Sequence, residues 1–125
     1  MSAKPLILVV DDDFDLGRML RLILTSGGYQ VEVAHTGGEA LAWLADHTPD
    51  LMLLDYMLPD MNGFAVLREM RGRESGGRLP VVMITAFSGP QLESESAEAG
   101  AQSLLRKPLR PAALLEHIGQ MLRPE

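Results

Sequence analysis

Four short apolar runs in this chain each end on a polar residue suited to handling phosphate or magnesium. Leu6-Ile7-Leu8-Val9-Val10 runs into Asp11-Asp12-Asp13, and Leu51-Met52-Leu53-Leu54 runs into Asp55. Val81-Val82-Met83-Ile84 runs into Thr85, and Leu104-Leu105-Arg106 runs into Lys107-Pro108. In a parallel α/β sheet the ligand crevice lies at the carboxyl ends of the strands. If these runs are neighbouring parallel strands, the acids, the hydroxyl and the amine converge at one end of one sheet.

The segments between the runs read as helices. Asp13 is placed to cap a helix over Phe14–Ser26, with Leu16, Met19, Leu20, Ile23 and Leu24 expected on its buried face. Gly27-Gly28 stops it, and Gln30–Ala34 alternates like a half-buried strand. Thr36 caps a second helix through Ala40, Leu41, Trp43 and Leu44, with Glu39 completing a capping box. Pro59-Asp60-Met61-Asn62-Gly63 is a turn before a helix over Phe64–Arg73, and Ser75-Gly76-Gly77 is a flexible loop. Gln91–Ala99 is weakly helical and ends at Gly100, and Pro111 opens a closing helix through Leu114, Leu115, Ile118 and Leu122. Five strands alternating with five helices predict a parallel sheet covered on both faces.

With 125 residues and no linker, repeat or low-complexity tract, the expectation is a single domain spanning residues 1–125. The absence of cysteine excludes a disulfide framework and a thiolate zinc site. The Ser2-Ala3-Lys4-Pro5 start does not read as a signal peptide, and no run approaches the length of a membrane helix. A net charge of −6 with scattered Lys and Arg argues against nucleic-acid binding. The expected setting is cytoplasmic, with no membrane partner.

Asp11, Asp12 and Asp55 come from runs that the alternation places side by side. Two carboxylates about 5 Å apart at an effective dielectric of about 20 repel by about 3 kcal/mol. Such crowding is tolerated where a cation binds or a proton is shared. Oxygen-only ligands suit Mg²⁺, which takes one or two carboxylates and keeps room for a phosphate oxygen. Any one of these aspartates alone reads as a helix cap; the set does not. Thr85 and Lys107 add a hydroxyl and an ammonium able to bind other phosphoryl oxygens. Taken singly, Thr85 is an ordinary strand residue and Lys107 a solvated lysine. Pro108 makes a rigid turn after Lys107, of a kind compatible with a cis bond.

On these residues the chain resembles a response-regulator receiver domain from end to end. The resemblance is carried by Val10-Asp11-Asp12, Leu54-Asp55, Pro59-Asp60-Met61-Asn62-Gly63, Thr85-Ala86, Ala99-Gly100-Ala101 and Lys107-Pro108, with 43 positions from Asp12 to Asp55. It implies a flavodoxin-like (βα)5 doubly wound parallel sheet with strand order 2-1-3-4-5. It implies that Asp55 is the phosphoacceptor, and that Asp11, Asp12, Asp55 and the Met57 carbonyl hold Mg²⁺. Thr85 would hydrogen-bond the phosphoryl group and Lys107 would pair with it. The donor would be a phosphohistidine on a sensor histidine kinase or histidine phosphotransfer protein. The domain would be a phosphoacceptor that assists its own phosphorylation and dephosphorylation, not a turnover enzyme.

Some residues qualify these expectations. Met57 and Phe87 flank the phosphoryl site with bulky apolar groups and are expected to shield an acyl phosphate from water. Leu104 stands where the family often has a switching aromatic, so output is expected to run instead through Phe87-Ser88-Gly89-Pro90. Gly17 is read as letting a partner helix approach, with Phe14, Arg18 and Arg21 as kinase contacts. His35, His47 and His117 lack ligand spacing and read as surface or edge residues, while the methionines read as core packing. Trp43 is expected to be partly buried, and Glu93, Glu95 and Glu98 to form a solvated helix face. A phosphatase with an aspartyl nucleophile, using Asp11-x-Asp13, is the rival reading; it leaves Asp55 idle. A receiver-like module that binds partners without phosphate is a third. The chain is expected to carry no output domain, as a stand-alone receiver or one cut from a longer protein, with homodimerisation on phosphorylation considered through the face of the last strand and the two helices flanking it.

Overall fold

The computed structural model describes residues 4–73, 78–87 and 89–123. The expected Ser75-Gly76-Gly77 loop, Ser2-Ala3, Ser88 and the Pro124-Glu125 end lie outside the described residues. The elements alternate strictly: β1 (Leu6–Val10), α1 (Phe14–Ser26), β2 (Gln30–Ala34), α2 (Gly37–Leu44), β3 (Leu51–Asp55), α3 (Gly63–Arg71), β4 (Val81–Thr85), α4 (Pro90–Ala99), β5 (Ser103–Arg106) and α5 (Pro111–Leu122). The strands form one parallel sheet in the order β2-β1-β3-β4-β5. The alternation predicts the parallel sheet, and the strand order is the doubly wound one that the receiver resemblance implies. The order reverses between β1 and β3, and in such sheets the crevice opens at that reversal.

Side-chain alternation along the strands builds two cores. On one face Ile7 and Val9 of β1 and Leu51 and Leu53 of β3 pack with Leu20 and Leu24 of α1 and Leu114 and Ile118 of α5. On the other, Leu8, Val10, Met52 and Leu54 pack with Ala40 and Leu44 of α2 and Val66, Leu67 and Met70 of α3. A fully buried leucine contributes about 1.5–3 kcal/mol relative to exposure. With both faces of β1, β3 and β4 buried, the ends of these strands are held where the core puts them.

The helix signals act as expected, with adjustments. Asp13 Oδ1 accepts from the N–H groups of Asp15 and Leu16 at 3.0 and 3.1 Å and starts α1. Thr36 Oγ1 caps α2 by accepting from Glu39 N at 3.0 Å. The Glu39 carboxylate reaches past Thr36 to accept from His35 N at 3.3 Å, so the box closes one residue early. Helix α3 runs over Gly63–Arg71 instead of Phe64–Arg73, because Asn62 caps it and Gly72 ends it. Met19 is 43% exposed and lies off the buried stripe of α1, which is Gly17, Leu20 and Leu24. Gly17 serves a close approach within the chain: a Cβ there would sit 3.3 Å from Val33 Cγ1 on β2.

Candidate functional site

The strand ends deliver the predicted residues to one place. Asp11 follows β1 directly and is fully buried. Its backbone N–H donates to Ala34 O at 3.0 Å, and its Oδ1 accepts from Asp13 N at 2.9 Å. Asp55 closes β3 and is almost as buried, whereas Asp12 is exposed. Carboxylate oxygens of Asp11, Asp12 and Asp55 lie within 4.8 Å of one another. Lys107 reaches in from the end of β5, its Nζ 2.9 Å from Asp11 Oδ2 and 3.5 Å from Asp55 Oδ2. Its backbone N–H donates to Thr85 O at 2.7 Å, and the Lys107-Pro108 bond is cis. Thr85 ends β4 and is buried, and its Oγ1 accepts from Phe87 N at 3.0 Å.

The electrostatics match crowded acids with one cation. Burial pushes the Asp55 carboxyl up to about 6, with the Asp11 charge adding to the rise and Lys107 and the Met57 N–H opposing it. Burial works against the charge on Lys107, but the close carboxylates of Asp11 and Asp55 outweigh it and hold the ammonium above its usual range. Asp11 Oδ2 makes the ion pair yet accepts no directed hydrogen bond, although it is buried. A buried carboxylate oxygen short of partners, inside an all-oxygen cluster, is the donor chemistry that a hard divalent cation requires.

The segment after Asp55 is tightly closed. Gly63 N donates to Tyr56 O at 2.6 Å, and Met57 bridges to Asn62. A Cβ on Gly63 would lie 2.8 Å from Asp55 O and 2.7 Å from Met83 Cε, so the loop returns across β3 only with glycine there. Met57, two residues after Asp55, and Phe87, two after Thr85, are 52% and 50% exposed. The Phe87 ring meets Tyr56 edge-on at 5.8 Å, and Tyr56 packs on Phe64 at 5.0 Å.

Some contributors were not legible in the sequence. His35 is half-buried: its Nδ1 donates to the Asp11 carbonyl at 3.0 Å while its ring stacks on Phe14 at 3.7 Å. His117 is also half-buried and shares a 2.8 Å hydrogen bond with Ser103, and His47 is exposed and stacked on a half-buried Trp43. Arg106 donates to the carbonyls of Phe87 and Gly89 at 2.5 and 3.2 Å, tying β5 to the loop after β4. Arg21, expected on a partner surface, donates to Val31 O on β2 at 3.0 Å. None of these follows from spacing, because each depends on a contact between distant elements. Leu104 packs half-buried against the core.

Residues 7–119 match the family model described as the response regulator receiver domain. The chain belongs to that family. Against the response regulator MprA of Mycobacterium tuberculosis (strain H37Ra), this receiver is 40% identical over 117 residues, covering 94% of its own length. It spans about half (50%) of that relative. The signal receiver domain of a histidine kinase from Syntrophus aciditrophicus superposes with a TM-score of 0.86 at 33% identity, with 97% of this chain and 95% of that one covered. A CheY-like response regulator receiver domain protein from Methanospirillum hungatei gives 0.88 at 34% identity, with 95% and 94% covered. Receivers of this family take phosphate from sensor kinases and bind Mg²⁺ at an acidic pocket, and the described residues of this chain include the acidic cluster of Asp11, Asp12 and Asp55. No helix among the described residues is long and apolar enough to cross a membrane.

Proposed function

We propose that Asp55 is the acceptor of the phosphoryl group and that Asp11, Asp12, Asp55 and the Met57 carbonyl hold Mg²⁺ beside it. The observation that carries this reading is the meeting of three carboxylates, one ammonium and one buried hydroxyl at the ends of four strands. An Asp55 carboxylate oxygen attacks phosphorus in line, the P–N bond of the donor phosphohistidine breaks, and the leaving imidazole keeps the electron pair and takes up a proton. Bound magnesium supplies neutralising charge for the oxygens of the transferred group. Lys107 sits where it can turn from the Asp carboxylates to a phosphoryl oxygen. Thr85 Oγ1 accepts from Phe87 N, which leaves its own proton free to donate. Phosphoryl transfer asks for positioning and charge neutralisation, and these residues provide both.

The same centre lets water attack the acyl phosphate later, so the domain resets itself without being a turnover enzyme. Met57 and Phe87 at the crevice mouth restrict that water and lengthen the phosphorylated state. With Leu104 packed as core, phosphorylation acts on the surface through Thr85 and Phe87. The donor is a sensor histidine kinase or histidine phosphotransfer protein, and the output is contact with a protein partner or a second receiver, in the cytoplasm. The net charge of −6 disfavours nucleic acid as a direct ligand. The rival phosphatase reading needs Asp13 in the site, but Asp13 is spent on capping α1.

Borohydride reduction of the protein after treatment with acetyl phosphate and Mg²⁺ tests the assignment. Reduction converts an aspartyl phosphate to homoserine, and peptide mass mapping locates it. Homoserine at position 55 supports the reading. Homoserine at 11 or 12, with none at 55, overturns it.

A further inference from the structure

Asp60 lies in the loop between β3 and α3, exposed and outside the acidic cluster, yet its carboxylate is fully engaged. Oδ1 accepts from Gly37 N at 2.9 Å and Oδ2 from Gly38 N at 2.8 Å. These are the first two N–H groups of α2, which the helix itself cannot satisfy. Glu39 N is taken by Thr36 Oγ1, so the N–H groups of the first three residues of α2 all have side-chain partners. The two amides hold the Asp60 carboxyl below the usual carboxylate range, as a charge at a helix N-terminus should be held.

The fit is two-sided. A Cβ on Gly37 would lie 2.6 Å from Met61 Cγ and 3.0 Å from Val66 Cγ2, and one on Gly38 would lie 3.3 Å from Asp60 Oδ2. Glycine at both positions lets the start of α2 seat directly on the tip of the loop. The other end of the loop is pinned to the acceptor strand by the Met57–Asn62 bridge and the Gly63 N to Tyr56 O bond. The residue of this loop that matters for chemistry is Met57, at the second anchorage, whose carbonyl is a ligand in the reading above.

We propose that Asp60 is a positioning residue for the metal site: by clamping the loop onto α2 it fixes the Met57 carbonyl, and so sets the affinity for Mg²⁺. The inference rests on the proposed role of Met57. Losing an outer partner of a metal ligand typically weakens binding by about 10–100-fold. A backbone carbonyl held by a loop with further anchors belongs at the low end of that range.

Mg²⁺ titration of the full chain, followed by the amide NMR shifts of Asp55, Tyr56 and Met57, separates this role from mere helix capping. Asp60→Ala should weaken Mg²⁺ binding by about tenfold and speed amide exchange at Gly37 and Gly38. Asp60→Asn keeps one acceptor oxygen and should fall between it and wild type. Thr36→Ala removes a cap from the same helix end without touching the loop; it should lose stability while keeping wild-type Mg²⁺ affinity. Unchanged affinity in Asp60→Ala, or an equal loss in Thr36→Ala, overturns the proposal while leaving the metal site standing. Wild-type shifts that ignore Mg²⁺ altogether would overturn the metal reading and this inference together.

Discussion

Lys107 pairs with Asp11 more closely than with Asp55: its Nζ is 2.9 Å from Asp11 Oδ2 and 3.5 Å from Asp55 Oδ2. Asp55, the proposed acceptor, is therefore the less neutralised of the two buried acids. This accounts for the direction of its titration, since burial and the Asp11 charge raise the Asp55 carboxyl more than Lys107 lowers it. The ammonium rests on a neighbour of the acceptor, and a phosphoryl oxygen arriving at Asp55 gives it a second place to go.

Removing that ammonium leaves two buried carboxylates without their counter-charge. Lys107→Ala should destabilise the metal-free protein by about 2 kcal/mol, below the cost of breaking a fully buried pair because the lysine keeps some solvent contact. Urea unfolding without divalent cations measures it, and added Mg²⁺ should restore part of the loss. The variant should also take up phosphate more slowly at saturating Mg²⁺.

The raised Asp55 carboxyl fixes a pH dependence. Folded, it protonates at about 6; unfolded, at the ordinary 3.8. Between these values the folded state holds more proton, so stability falls as pH rises through the window and levels off above it. The full effect is at most about 3 kcal/mol. Asp55→Asn abolishes this decline, so its stability advantage over the metal-free wild type should grow with rising pH. Urea midpoints of both proteins across the window, in chelator, provide the check.

Phosphate lifetime tests the role of the apolar mouth. Met57→Asn replaces a half-exposed thioether with a side chain able to orient water beside Asp55. Loss of phosphate, followed by intact mass after removal of the donor, should be faster than in wild type. Arg106→Ala frees the carbonyls of Phe87 and Gly89 and should also shorten the lifetime, while costing stability only about 0.5–1.5 kcal/mol.

Gly63→Ala forces a methyl toward Asp55 O and Met83 Cε, at 2.8 and 2.7 Å. Overpacking of this kind typically costs about 1–3 kcal/mol. Thermal or urea unfolding should show the loss. Because one of the clashing atoms is acceptor backbone, phosphate uptake should fall as well.

The five strands were legible to within a residue because four are apolar runs and β2 alternates, each bounded by a turn signal, and the sheet order followed from the family resemblance. The meeting of Asp11, Asp12, Asp55, Thr85 and Lys107 was legible because each lies at the end of one of those runs; Met57 came only from the family resemblance. The exposed side of α1 was misread at Met19, since an apolar residue at helical spacing looks buried until the position of the stripe is known. Asp60 read only as a turn residue, His35 only as a surface histidine and Arg106 only as a strand end. Their partners, at Gly37 and Gly38, Asp11, and Phe87 and Gly89, lie on other elements. No local period encodes such contacts; the packing of the sheet creates them.

The central claim is that Asp55 accepts phosphate in a magnesium-dependent reaction. Intact-protein mass after incubation with acetyl phosphate, for wild type and Asp55→Asn, with Mg²⁺ and with chelator, tests it most directly. The account predicts a single added phosphate in wild type with Mg²⁺ and none in the other three samples. An adduct that persists in Asp55→Asn or in chelator, or no adduct in wild type with Mg²⁺, would contradict it.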